Sequence, residues 1–286
     1  MSDLSVGFRT LEVPDAIVQD MYCDGKVKVW DKRLKIYPNM YIELRSTEIE
    51  KHTSLAKVSR DGEWIERIQS QDVNGLSPRN REQAFALDAL MNDDIPVVVL
   101  TGSAGTGKTI CTLATAMQKI QQKQYARCII TRPMSQVTKY SFGALPGGID
   151  EKFNPYLANY MTNLEQMTSN RGNVEHMMDQ FRMEPIPLQF FRGASFNKCF
   201  IIADEMQVCN HMEILTVGTR VGEGSKIVIM GDLNQRDENI AKDKTGLYKL
   251  MNSKQIQESG LVATIELQKC ERSAVAALFS NVFEEK

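Results

Sequence analysis

Apolar and polar positions follow two rhythms along this chain of 286 residues. Over about the first seventy residues they alternate with a period of two, in "KVKVW", "RLKIY", "MYIELR", "SLAKVS" and "EWIERI". The turn formers "DG", "YPN" and "RDG" interrupt these runs. The pattern predicts several antiparallel strands in a small β-rich domain, with a partly open barrel as one way to close it. From "LSPRNREQAFALDALM" the period lengthens: Ala84, Leu87, Ala89 and Leu90 suit a helix, and Ser77-Pro78 suits its start.

Continuous apolar runs then alternate with helical stretches: "VVVLT" at 97–101, "RCIIT" at 127–131, "CFIIA" at 199–203, "KIVIM" at 226–230 and "VATIEL" at 262–267. Strands without alternation, separated by helices, predict a mostly parallel sheet covered on both faces. A long insertion near 150–185, rich in Met, Asn and Gln, reads as helical in "PYLANYMTNLEQM" and "VEHMMDQF". The expected division is a β-rich domain over 1–74 and an α/β domain over 75–286.

Composition narrows the class without naming a chemistry. No apolar run is long enough to span a bilayer, so no membrane association is expected. The start "MSDLSVGFRTLEVPD" lacks the basic-then-apolar pattern of an export signal. Six cysteines stand apart with no CxxC, which fits small buried hydrophobes in a reducing cytoplasm. His52, His176 and His211 share no ligand spacing with them, so no zinc site is expected. A net charge of −2 excludes a polybasic tail but leaves room for a local basic surface.

The chemistry is concentrated at 102–109, "GSAGTGKT", directly after the first of the apolar strands. It fits GxxxxGK[ST] between a strand and a helix. Gly102, Ser103, Ala104, Gly105, Thr106 and Gly107 can turn successive main-chain N–H groups toward one centre, where they and the helix start stabilise phosphate oxygens. Lys108 would reach the β- and γ-phosphates, and the Thr109 hydroxyl would bind Mg²⁺. "FIIADE" places Asp204 and Glu205 at the C-terminal edge of a buried strand. Asp204 would hold the Mg²⁺ shell, and Glu205 would deprotonate the attacking water. Gln235, in "GDLNQ" past the next strand, is the candidate sensor of the γ-phosphate. A guanine-specific NKxD is missing, whereas Gln83 in "NREQ" can donate and accept at an adenine edge, which favours ATP.

The ordered series "LSPRNREQAFALDAL", "GSAGTGKT", "ITRP", "LPGGIDEKFNPY", "FFRGASF", "IIADEMQ", "TRVGEGSKIVIMGDLNQ", "TGLYKL" and "CERSAVAALF" resembles the PhoH-like ATPases. The resemblance is to the ATPase half of bacterial proteins that fuse a PIN nuclease to a PhoH domain, and runs from about residue 35 to the C-terminus. It implies a RecA-like P-loop core related to superfamily-one helicases, ATP hydrolysis, hexameric ring assembly and RNA-linked activity. It supports Gln83 at adenine, Lys108 and Thr109 at phosphate and Mg²⁺, and Asp204 and Glu205 in hydrolysis. It adds Gln207 as the last position of a DExQ motif, Gln235 as the GDxxQ sensor and Arg272 as an arginine finger. "DEMQV" departs from the usual DEAQN, and "SFGALPGG" is one residue longer than IGFLPGD. Little of the chain precedes the matched stretch, so no PIN-type cleavage is expected.

Superfamily-one helicases close ATP between two cores in one chain, whereas this chain has room for one. A homo-oligomeric ring would let Arg272 reach a neighbour's γ-phosphate, and an arginine supplied in trans is worth about 10³- to 10⁵-fold in rate. For single-stranded RNA or DNA the local signal is "GKVKVWDKRLKIY". Lys26, Lys28 and Trp30 would share one strand face, and Arg33, Lys35 and Tyr37 a face of the next, pairing phosphate contact with base stacking. Arg132, in "ITRP", and nearby Lys139 are the second candidates for the nucleic-acid backbone. The expected function is therefore a nucleic-acid-dependent ATPase of translocase or helicase type. A non-motor ATP-dependent switch and, ranked lower, a small-molecule kinase are the alternatives.

Overall fold

The computed structural model describes residues 7–133, 159–167, 174–235 and 241–269. The N-terminal part is a five-stranded sheet in the order β1-β3-β4-β5-β2. Its strands are β1 (Phe8–Val13), β2 (Lys26–Lys28), β3 (Tyr41–Ser46), β4 (Thr53–Val58) and β5 (Trp64–Arg67). Strand β4 alternates as its sequence predicts, burying Ser54, Ala56 and Val58. Helix α1 (Asp15–Cys23) carries the chain from edge strand β1 to the opposite edge strand β2 and buries Val18 and Met21 against Leu11, Val13, Ile42, Leu44, Ala56 and Ile65. Each such apolar side chain removed from water stabilises by roughly 1.5–3 kcal/mol.

Three expectations for this region change. The sheet is not a barrel: β1 and β2 are its two edges, and β1 joins β3 in parallel. "RLKIY" is not a strand. The Asp31 carboxylate accepts the Arg33 N–H at 2.8 Å and closes a 3-10 turn over Lys32–Leu34. Lys35 then turns left-handed (φ 50°) and Tyr37 is buried, so Arg33, Lys35 and Tyr37 share no strand face. Strand β1 lies outside the predicted runs, because Arg9-Thr10 interrupts its alternation.

The second sheet has six parallel strands in the order β11-β6-β10-β9-β7-β8. Strands β6 (Val97–Thr101), β7 (Arg127–Thr131), β9 (Cys199–Ala203), β10 (Lys226–Gly231) and β11 (Val262–Glu266) coincide with the five apolar runs. Edge strand β8 (Met183–Pro185) was not foreseen; three residues carrying a proline give no periodic signal. Successive side chains of each central strand enter opposite clusters. Val98, Leu100, Ile130, Ile202 and Val228 pack under α2 (Arg81–Met91) and α3 (Lys108–Gln121). Val99, Ile129, Ile201 and Ile229 face Phe191, Val217 and Leu247. The last two belong to α6 (His211–Gly218) and α7 (Gly246–Asn252), with α8 (Lys254–Gln257) following.

Within the described part of the expected insertion, α4 (159–167) and α5 (Val174–Gln180) are helical, while 150–158 and 168–173 lie outside the described residues. Tyr160 and Leu164 of α4 join the core beside β7 and β9 strand residues. The two sheets share that core as well. Tyr41 of β3 packs in it against Phe85 of α2, and its hydroxyl donates to Asp88 at 2.7 Å.

Parallel register brings the chemistry together. Thr101 lies beside Gly231, and Thr131 beside Ala203, so the loops leaving β6, β7, β9 and β10 emerge at one end of the sheet. Ligands of open α/β sheets gather at that end.

Candidate functional site

At the tip of β6 the chain must turn through space already claimed by neighbours. A Cβ on Gly102 (φ 140°) would lie 2.1 Å from the Leu267 carbonyl oxygen, because Leu267 pairs its N–H with Thr101 at 2.8 Å. A Cβ on Gly107 (φ 103°) would lie 2.7 Å from Gln83 Nε2. Both positions therefore admit only glycine. Gly107 is the N-cap of α3, so the free N–H groups of that helix start point into the loop. Gln83 steadies the loop from outside: its Nε2 donates to the Thr106 carbonyl at 3.1 Å and its Oε1 accepts the Arg79 N–H at 2.9 Å. One N–H and one lone pair of that amide remain for a base edge.

Lys108 folds over the loop, donating to the carbonyls of Gly102 (2.5 Å) and Ser103 (2.9 Å). Thr106 is buried and donates to the Ser103 carbonyl, so Gly102, Ser103 and Thr106 shape the cradle from behind.

Opposite the cradle stands the acidic pair at the end of β9. Asp204 is buried, and both its oxygens are engaged: Oδ1 accepts the Glu205 N–H at 3.0 Å and Oδ2 accepts the Tyr160 hydroxyl at 3.0 Å. Burial, reinforced by the charge of Glu205, raises its pKa, against the pull of the Tyr160 hydrogen bond and the Arg132 charge. Glu205 is left-handed (φ 56°), a conformation that costs a residue with a side chain and recurs at functional sites. Its Oε2 accepts from Gln207 Nε2 at 2.7 Å, and its Oε1 faces an Arg132 guanidinium nitrogen at 3.9 Å. Gln207 is buried, and its Oε1 accepts the Asp232 N–H at 3.1 Å, tying the end of β9 to the end of β10.

These groups border one cleft of about 450 Å³. Gln83, Ala104, Gly105, Gly107, Lys108, Thr109, Asp204, Glu205 and Gln235 all line it, residues separated by up to 152 positions in the sequence. Arg132 stands at its flank with its side chain 21% exposed, directed at the acidic pair. The N-terminal candidates lie elsewhere. Lys28 is exposed at the end of β2, Trp30 lies past that end and is 44% exposed, and Lys35 is exposed after the 3-10 turn. Lys26 lies 4.7 Å over the Trp64 ring. Lys139 and Arg272 fall outside the described residues.

Two contributors had no sequence signal. Tyr160 reaches Asp204 from 44 residues away, out of an insertion whose pattern announces only a helix. Glu82, next to Gln83, is buried and accepts the N–H groups of Gln268 (2.8 Å) and Lys269 (3.0 Å).

The donor set fits a nucleotide with a hard divalent cation. A helix start, a lysine and a glycine-built cradle offer positive partners to phosphate. Thr109 and Asp204 offer oxygen ligands across the same cleft. Among the described residues no group of three His, Cys, Asp or Glu is placed to hold a metal ion. Mg²⁺, which takes most of its shell from water and phosphate, needs no such group. Among those residues, too, no helix is long and apolar enough to cross a membrane.

A family model described as "PhoH-like protein" matches residues 75–284. Over 284 residues the chain is 30% identical to Protein PhoH2 of Bacillus subtilis (strain 168), covering 96% of this chain and 64% of that one. It is also 30% identical to Protein PhoH2 of Thermobispora bispora, covering 91% and 62%. The chain thus spans less than two thirds of the length of these relatives. Among solved structures, a Sulfolobus solfataricus SWI2/SNF2 ATPase core in complex with dsDNA is similar at 15% identity and TM-score 0.41, covering 67% of this chain and 40% of that one.

Proposed function

This chain belongs to the PhoH-like protein family, and on that premise we propose that its cleft binds and hydrolyses ATP. One observation carries the reading: Lys108 and Thr109 at the start of α3 face Asp204 and Glu205 across a single cleft. The cradle amides and Lys108 hold the β- and γ-phosphates. Thr109 and Asp204 would hold Mg²⁺, which would supply neutralisation of phosphate charge. Glu205 takes a proton from the attacking water, oriented by the Gln207 amide, and Gln235 responds to the γ-phosphate.

The wider proposal is a single-strand RNA- or DNA-stimulated ATPase acting as a homo-oligomeric, hexameric ring, with Arg272 completing a neighbour's site. Arg132 supports the link to nucleic acid, because a cation beside Glu205 can exchange that partner for a phosphate of the strand. Exposed Lys28, at the end of β2, and exposed Trp30, just past it, supply a cation and a stacking ring.

Phosphate release with Mg²⁺ and ATP, with and without single-stranded RNA or DNA, tests both levels. Wild type turns over ATP and gains several-fold with a strand. Glu205→Gln keeps ATP binding and loses roughly 10²- to 10⁴-fold in turnover. Turnover that survives Glu205→Gln unchanged defeats the assignment, and a rate indifferent to every strand defeats the nucleic-acid part.

A further inference from the structure

The insertion helix is part of the nucleotide site. Tyr160 and Leu164, one turn apart, anchor α4 in the main core, and Tyr160 is only 1% exposed. The next face of α4 borders the cleft through Asn159, Asn163 and Gln166. A phenol with its ring in the core and its hydroxyl at a polar site is held from both ends. Here the hydroxyl ends on Asp204 Oδ2 at 3.0 Å, while the Glu205 N–H holds Oδ1 at 3.0 Å. The carboxylate is thus fixed by its own main chain on one side and by the insertion on the other.

We propose that Tyr160 is a positioning residue that aims Asp204 at the divalent cation of the bound nucleotide, so that cation loading and the seating of α4 are one linked event. The inference rests on the Mg²⁺–ATP reading of this cleft. A hydrogen bond donated to a metal-binding carboxylate commonly governs 10- to 100-fold of metal affinity. The same bond costs nothing when nucleotide binds without metal, because phosphate is held by the cradle and not by Asp204. Coupling runs both ways: whatever moves α4 would release the carboxylate, and a cation on the carboxylate would tighten α4.

The test compares wild type with Tyr160→Phe, which keeps the buried ring. The readout is binding of a non-hydrolysable ATP analogue titrated with Mg²⁺ and, separately, in EDTA. The Mg²⁺ concentration for half-maximal tightening rises about 10-fold or more in Tyr160→Phe, while affinity in EDTA is unchanged. Tyr125→Phe, which removes another buried hydroxyl that donates to Asp93, leaves both values unmoved. In an Asp204→Asn background, Tyr160→Phe has no further effect.

Hydrogen exchange on wild type needs no variant: amides of 159–167 gain protection when Mg²⁺ joins the nucleotide complex. An unshifted Mg²⁺ midpoint, equal losses with and without metal, or α4 amides indifferent to Mg²⁺ overturns the role of Tyr160 while leaving ATP binding intact. A wild type that binds no nucleotide under any condition overturns this inference and the reading beneath it together.

Discussion

Gln207 donates to Glu205 at 2.7 Å, and the same amide accepts the N–H of Asp232 at the tip of the neighbouring strand. Its two ends have opposite hydrogen-bonding senses, so only an amide serves both. Gln207→Glu keeps an acceptor for Asp232 but sets a second carboxylate against Glu205. Like charges at that distance cannot both ionise comfortably. Turnover should fall roughly 10- to 100-fold at neutral pH with nucleotide affinity nearly unchanged, since the lost group acts on the base and not on phosphate. A variant whose affinity collapses while its turnover number holds would show that Gln207 serves binding.

Gly107 is restricted twice, by a left-handed φ of 103° and by Gln83 Nε2 at 2.7 Å from any added Cβ. Gly107→Ala should cost about 1–3 kcal/mol of stability and abolish tight ATP binding by displacing the loop. Adding Gln83→Ala removes the clash but not the backbone strain. The double variant should regain part of the stability and little of the affinity. Chemical unfolding and nucleotide titration of the three proteins decide it; full recovery would mean that sterics alone set the glycine.

What the sequence exposes here is what is local. The five core strands are runs of apolar residues long enough to be unmistakable, and Gly102 to Thr109 and Asp204-Glu205 are contiguous motifs at strand ends. "RLKIY" alternates like a strand, yet the short-range bond from Asp31 to the Arg33 N–H outcompetes a ladder. The bonds from Tyr160 to Asp204 and from Glu82 to Gln268 span 44 and 186 residues, and nothing within a window of either residue encodes them. Of the six cysteines expected to be buried, Cys111, Cys128, Cys199 and Cys209 are, Cys23 is exposed on the last turn of α1, and Cys270 lies outside the described residues.

Lys226 supplies the pH dependence. Its buried ammonium donates to the carbonyls of Ala89 (2.9 Å), Asn92 (2.7 Å) and Ile95 (2.7 Å), closing the C-terminal end of α2. Burial lowers its pKa to about 7 from 10.5, against the raising effect of Asp93 and Asp88. Between those values the unfolded chain binds the proton that the folded chain has released, so this group's contribution to stability rises with pH across the window. Lys226→Met lacks the effect and leaves three carbonyls without their donor, so it is destabilised throughout. Urea melts at about pH 7 and about pH 9.5 should show the gap between wild type and Lys226→Met widening with pH. A gap that stays constant would mean the three carbonyls keep the ammonium charged despite its burial.

Glu82 links the base end of the cleft to the chain leaving β11. One carboxylate oxygen takes the N–H groups of both Gln268 and Lys269, one residue past the Leu267 carbonyl that presses on Gly102. A charged acceptor for main-chain N–H groups is worth about 1.5–3 kcal/mol. Glu82→Gln retains an acceptor of the same length without the charge, whereas Glu82→Ala removes it. Stability should therefore fall in the order wild type, Glu82→Gln, Glu82→Ala. Hydrogen exchange at Gln268 and Lys269 should accelerate in the same order, because both amides donate to the Glu82 carboxylate. ATP affinity should drop with them, since freeing Leu267 also frees the first glycine of the cradle. If Glu82→Ala loosened residues 268 and 269 but left nucleotide affinity at the wild-type value, the strand exit and the cradle would be mechanically independent.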